Sequence, residues 1–231
     1  MGIFDIFKKE KGQPILQSLN QSFTGLNSGL CDEVIKGIPF GYKSSWFVFK
    51  NLNFNLIKEF LHNELVYHST VNFENGLKEG WGGNFALLRP INHFTILISS
   101  NGGNFLEIAK KISKELGIIE YYITNRSSNL IGLSRFEFGN TTREFIVTGD
   151  SGIITNEGVP TAIELKIAER EQKEILENSG DNFNFYSGKE MLSFLGDEEH
   201  LMEIAENWSI NPAKLDEVEV FNCVEIFKLK K

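Results

Sequence analysis

Between residues 118 and 148 the chain carries three β-type runs, 118–124, 130–138 and 143–148, with only turn-length segments between them. Connections this short reverse the chain and leave sequence neighbours beside one another, so the three runs predict an antiparallel meander. Gly139-Asn140 supplies the turn between the last two. A second pair, 85–89 and 94–98, flanks the compact turn Pro90-Ile91-Asn92-His93 and reads as a hairpin. Trp46-Phe47-Val48-Phe49 is a further strand, and residues 218–229 form a last β-type run.

Helical signals alternate with these runs. Leu56, Ile57, Phe60 and Leu61 follow the first strand at helical spacing, and Asn72 to Leu77 make another helical turn. Phe105, Ile108, Ala109, Ile112 and Leu116 draw an apolar stripe that stops at Gly117, a natural residue just past a helix end. The segment Asn156 to Glu164 contains a helix start, with Thr161 and Glu164 spaced as a capping box, and the helix runs to Ser179-Gly180. Asp197 caps a helix through Trp208, and Ser209-Ile210-Asn211-Pro212 begins a short one with proline at its tolerated first position. The expected fold is α+β: an antiparallel sheet of about five to seven strands, with helices packed on one face and at one end. No repeat or linker divides the chain, so residues 1–231 read as one domain, with 1–40 as a peripheral amino-terminal appendage that includes a short helix near 14–23.

The totals narrow the function. With 41% hydrophobic residues, 20 of the 231 positions being Phe, the chain can build a core without a metal or disulfides. Cys31 and Cys223 lack CxxC or Cys/His spacing, which predicts two free thiols in a reducing, cytoplasmic compartment. A net charge of −8 disfavours nucleic acid, whose binding draws on Lys and Arg, and suits a basic partner. The stretch Met1 to Lys11 is too short for a signal peptide or membrane span, and Ile6 breaks the myristoylation pattern. A peripheral contact through Ile3, Phe4, Ile6 and Phe7 is the membrane alternative.

Catalytic equipment is sparse. His68-Ser69-Thr70 and His93-Phe94-Thr95 are two His-x-Thr triplets, the pattern by which paired imidazoles act as base and acid on a cyclic phosphate. They lie close in sequence rather than on far-apart halves, so strand-end or turn duty is the preferred reading and a His68/His93 phosphoesterase the alternative. Gly80-Trp81-Gly82-Gly83 and Asn101-Gly102-Gly103-Asn104 match neither dinucleotide nor P-loop patterns. Neither His62 nor His200 has a partner at metal-ligand spacing, so no metal, cofactor or catalytic residue is expected. The Ser209-Ile210-Asn211 turn has the cadence of a helix-turn-helix, but acids surround it and would repel phosphate.

From about residue 81 to residue 217 the chain resembles a family of small bacterial cytoplasmic proteins of the immunity type, encoded with polymorphic toxins and secreted effectors. The likeness rests on the run from Ile96-Leu97-Ile98 to Ile118-Ile119-Glu120-Tyr121-Tyr122, and on the hairpin with Arg135 and Arg143-Glu144-Phe145. It continues in Glu157-Gly158-Val159-Pro160-Thr161 and in Ala205-Glu206-Asn207-Trp208-Ser209-Ile210-Asn211-Pro212. Members often carry His and Trp in the central strands, where this chain has Ser128-Asn129-Leu130-Ile131-Gly132-Leu133, so no site transfers. The resemblance implies a non-enzymatic protein that binds and neutralises a cognate toxin domain. The acids Glu198, Glu199, Glu203 and Glu206 with the cap Asp197 are the expected contact set for a basic partner.

Overall fold

The computed structural model describes residues 28–50, 53–149, 151–179, 192 and 195–230. The amino-terminal helix expected near 14–23 and the anchor residues Ile3, Phe4, Ile6 and Phe7 lie outside them. The order is α1 (Ser28–Asp32), β1 (Val34–Lys36), β2 (Ser45–Lys50), α2 (Phe54–Glu64), β3 (Leu65–Val71), α3 (Phe73–Trp81), β4 (Phe85–Leu88) and β5 (Phe94–Ile98). There follow α4 (Leu106–Leu116), β6 (Ile118–Asn125), β7 (Leu130–Glu137), β8 (Asn140–Thr148), β9 (Gly152–Gly158), α5 (Ala162–Ser179), α6 (Glu198–Trp208), β10 (Glu219–Phe221) and β11 (Val224–Leu229).

The architecture is α+β, as expected, but the sheet is larger. Among the described residues nine strands run antiparallel in the order β3-β11-β4-β5-β2-β6-β7-β8-β9, and β1 pairs with β10 in a separate ribbon. The extra width comes from β3 and β9, the two edges. Each has one neighbour and a weak apolar pattern, Leu65 to Val71 being only partly buried and Gly152 to Gly158 bounded by glycines. Little in either stretch distinguishes a strand from a loop.

Helices cover both faces, correcting the expectation of one face and one end. Trp46 and Val48 point to one layer with α3, α5 and α6, whereas Phe47 and Phe49 point to the other with α2 and α4. The uninterrupted apolar run of β2 is the sequence sign of this, because a strand with one wet face alternates. The first layer packs Phe73, Leu77, Ile167, Ala168, Leu201, Ile204 and Trp208 on the sheet, and the second packs Ile57, Leu61, Ala109 and Ile112.

Local chemistry sets the helix boundaries. Asn53, Asn72 and Asp197 each accept a backbone N–H from the first turn at 2.9 Å, opening α2, α3 and α6. Gly117, at φ 99°, closes α4 in a conformation that a side chain resists. Gly76 on α3 lets Val224 of β11 approach, since a Cβ there would lie 2.5 Å from the valine side chain.

The cysteines overturn a further expectation. Cys31 and Cys223 form a disulfide, with Cα atoms 4.8 Å apart, that ties α1 to the link between β10 and β11. Bridges of this kind persist in oxidising surroundings, so the reading of free thiols in a reducing cytoplasm is corrected.

Candidate partner-binding face

α5 and α6 lie side by side on the same face of the sheet. The Arg170 guanidinium on α5 reaches Glu203 of α6 at 2.8 Å, and the His200 imidazole of α6 lies 3.1 Å from Glu171 of α5. The base of α5 is locked by Arg143 of β8, whose guanidinium meets the Glu164 carboxylate at 2.6 Å with almost no solvent contact. The second Glu164 oxygen accepts the Thr161 backbone N–H and hydroxyl, each at 2.8 Å, which forms the glutamate half of the expected capping box.

This layer holds most of the molecule's excess charge. α5 and the capped α6 together contain ten Asp and Glu against three Lys and Arg, a net −7 out of the chain's −8. Glu169, Glu174, Glu177, Glu199 and Glu206 are exposed along it.

The five acids expected to make the contact stand together on α6, but less bare than the sequence suggested. Asp197 is occupied as the cap. Glu198 pairs with Arg126 from the β6–β7 turn at 2.6 Å, Glu203 with Arg170, and Glu206 with Lys214 at 2.7 Å. The Lys214 hydrogen bonds, with Asn211 beside them, hold the Glu206 carboxyl below its ordinary range. All three cations lie outside α6, and two of them, Arg126 and Arg170, are far from it in sequence and invisible to a local reading. Exposed pairs such as Glu203–Arg170 and Glu206–Lys214 are weak and exchange readily for a partner's cations.

At the amino end of α6 the layer borders a cavity of about 480 Å³. The β6–β7 turn, the β8–β9 turn and the first turn of α6 enclose it, with Leu130, Ile131 and Val147 as apolar lining and Arg126, Asp197 and Glu198 as charged lining.

The two histidine triplets do not converge. Phe227 of β11 pairs with both Tyr67 and Phe85, which sets His68 level with the start of β4, whereas His93 lies in the turn beyond its end. Both are exposed. His68 is the extra residue of a β-bulge in the edge strand β3, between the pairs Tyr67↔Phe227 and Ser69↔Ile226.

One polar cluster was not anticipated. Glu120 of β6 is fully buried, accepts the Tyr122 hydroxyl at 3.0 Å, and leaves its Oε1 without a partner among the described residues. Burial pushes its carboxyl up, against the opposing pull of hydrogen bonds from Ser209 and Tyr122 and of the Arg135 and Lys50 charges. Lys50 donates to the Trp208 carbonyl at 3.0 Å, and the Arg135 guanidinium lies 5.6 Å from the Trp208 ring. Trp46 stacks on Tyr122 at 5.1 Å, and Trp208 closes the outer side. With Glu120, Tyr122 and Trp46 all at 0% exposure, the cluster is sealed from any substrate and ties α6 to the sheet. An acid at an inward position of a central strand was the available signal.

Among the described residues no three His, Cys, Asp or Glu side chains gather as metal ligands, and no helix is long and apolar enough to cross a membrane. In comparisons with family models, curated proteins and solved structures, nothing matches this chain.

Proposed function

We propose that this protein binds and neutralises a basic protein partner, as an immunity protein does its toxin domain, and that the α5–α6 layer is the docking face. The observation that carries the reading is the concentration of a net −7 on two adjacent helices, with the rest of the chain near neutrality. Such a field speeds encounter with a positive surface and rejects nucleic acid. The layer is also rigid: Trp208, Leu201 and Ile204 anchor α6 in the core, and the Arg143–Glu164 pair anchors α5. A preformed face loses little entropy on binding. Inhibition by occlusion needs no catalytic group or cofactor on this side of the complex.

On this reading a toxin domain is encoded beside this gene, and the test is binding to that domain and protection from it. Glu199→Gln, Glu203→Gln and Glu206→Gln together should slow association by roughly tenfold or more at low ionic strength, while the wild-type rate falls steeply with added salt. Unchanged association and protection in the triple variant would reject the face.

A further inference from the structure

We infer that the Cys31–Cys223 bridge is a reversible redox bond, opened and closed through Cys31 with Arg89 beside its sulfur, and that Cys31 is thereby a modification site for a low-molecular-weight thiol of the glutathione class. No residue of α5 or α6 takes part, so the site stands apart from the docking face.

The two sulfurs are unequal. Cys223 is at 0% exposure in the link between β10 and β11, whereas Cys31 on α1 is only half-buried. A thiol arriving from solvent therefore meets Cys31 first, and exposed bridges are the ones that exchange. Beside Cys31 stands a cation, with the Arg89 Nη2 3.9 Å from its Sγ. Glu225 approaches the same guanidinium at 3.6 Å but also accepts Lys58 at 2.8 Å, so two cations and one acid back the sulfur. Of the acids that follow Cys31 in the chain, Glu33 is taken up by the Asn222 amide at 2.6 Å, and Asp32 is exposed to water, which screens it. A thiolate on Cys31 thus has a charge-assisted donor at hand.

The ends of the bridge are held without it. Just beyond the cysteines, Val34, Ile35 and Lys36 pair with Phe221, Val220 and Glu219, and the Asn222 backbone N–H donates to the Glu33 carbonyl at 2.8 Å. The Asn222 side chain also accepts the Phe73 N–H at the start of α3, at 2.9 Å. Opening the bond therefore leaves the two sulfurs neighbours in a folded chain, and closing it again is an intramolecular step of high effective concentration.

In the opening direction a thiolate attacks the Cys31 Sγ, the S–S bond breaks, and its electron pair leaves on the Cys223 Sγ, which takes up a proton. Cys31 is then a mixed disulfide. A second thiolate attacks the small molecule's sulfur, expels Cys31 as a thiolate beside Arg89, and the two small thiols depart as their disulfide. Two electrons have passed from two thiols to one bond. With the small disulfide as oxidant the same steps run backwards, so that Cys31 attacks and Cys223 resolves.

The test uses the full chain, natively folded, with reduced and oxidised glutathione as probes and acid quenching before mass analysis. The wild-type bridge should open in reduced glutathione without urea, and peptide mapping should find the glutathione adduct on Cys31. Cys223→Ala with oxidised glutathione should accumulate that adduct, whereas Cys31→Ala should react at Cys223 roughly tenfold or more slowly until urea equalises the two. Arg89→Gln in the Cys223→Ala background should slow adduct formation about threefold to tenfold, and Arg89→Lys should restore most of the rate. Amide hydrogen exchange of the reduced wild type should leave β1 and β10 protected. A bridge that opens only in urea, an adduct on Cys223, equal native rates at the two cysteines, a rate indifferent to Arg89, or loss of β1–β10 protection on reduction would each overturn the inference. The wild-type mapping needs no substitution, so it decides the matter even where a variant fails to fold.

Discussion

Arg143 of β8 and Glu164 of α5 are joined across 2.6 Å with side-chain exposures of 2% and 0%. Arg143 spends its remaining donors on Asn156 and on the Glu144 and Glu157 carbonyls, so one guanidinium holds β8, the edge strand β9 and the start of α5 together. Removing one partner leaves the other buried and charged without its counter-ion, which costs about 3–5 kcal/mol. Glu164→Ala should therefore lower the urea unfolding free energy by that order, and Arg143→Met combined with Glu164→Leu should restore much of it. A loss below about 1 kcal/mol in the single variant would show that the clamp does not hold α5 in place.

The Cys31–Cys223 bridge spans 192 residues of sequence. Alkylation of the unreduced, denatured protein should label neither cysteine, and reduction should expose both. Cys31→Ser with Cys223→Ala should reduce stability by about 2–5 kcal/mol, chiefly by freeing the unfolded chain. Full labelling before reduction would contradict the bridge.

Glu120 predicts an unusual pH dependence. Its folded-state carboxyl lies above the ordinary value of 4.5, raised by burial, so the native state binds the proton more tightly than the unfolded chain. As pH climbs from the ordinary value through the folded-state value, this group therefore lowers stability, and above both the loss is complete. Glu120→Gln retains an acceptor for Tyr122 and removes the titration. The stability difference, variant minus wild type, should grow with pH across that window and then level off in urea titrations. A difference independent of pH would mean that Glu120 does not titrate differently on folding.

His68 tests the edge. As an exposed bulge residue it should accept alanine within about 0.5 kcal/mol. Its deletion is more informative. The pairs Tyr67↔Phe227 and Ser69↔Ile226 would become consecutive without any residue changing face, so the protein should still fold. The edge, however, would become a regular strand without the bulge that interrupts it, and light scattering should show more self-association than wild type at equal concentration. An unfolded deletion variant would refute this register.

Much of the fold was legible locally. The meander β6–β7–β8, the β4–β5 hairpin and the ends of α4, α5 and α6 all follow from spacing, turn glycines and capping side chains, which act within a few residues. The apolar run of β2 also carried the sign of a doubly covered sheet. The edges β3 and β9 were not legible, because a strand with one neighbour and a partly wet surface needs no strong pattern.

Of the candidate site, the sequence by itself determined the acids, their helical spacing and the total charge, since these depend on composition and local periodicity alone. Tertiary structure decided what that charge faces. It set α5 against α6, brought Arg126 and Arg170 to Glu198 and Glu203, and parted His68 from His93 along β4. It also buried Glu120 and joined Cys31 to Cys223 across almost the whole chain. Charge pairing, desolvation and cross-linking act through space, over distances that sequence separation does not measure.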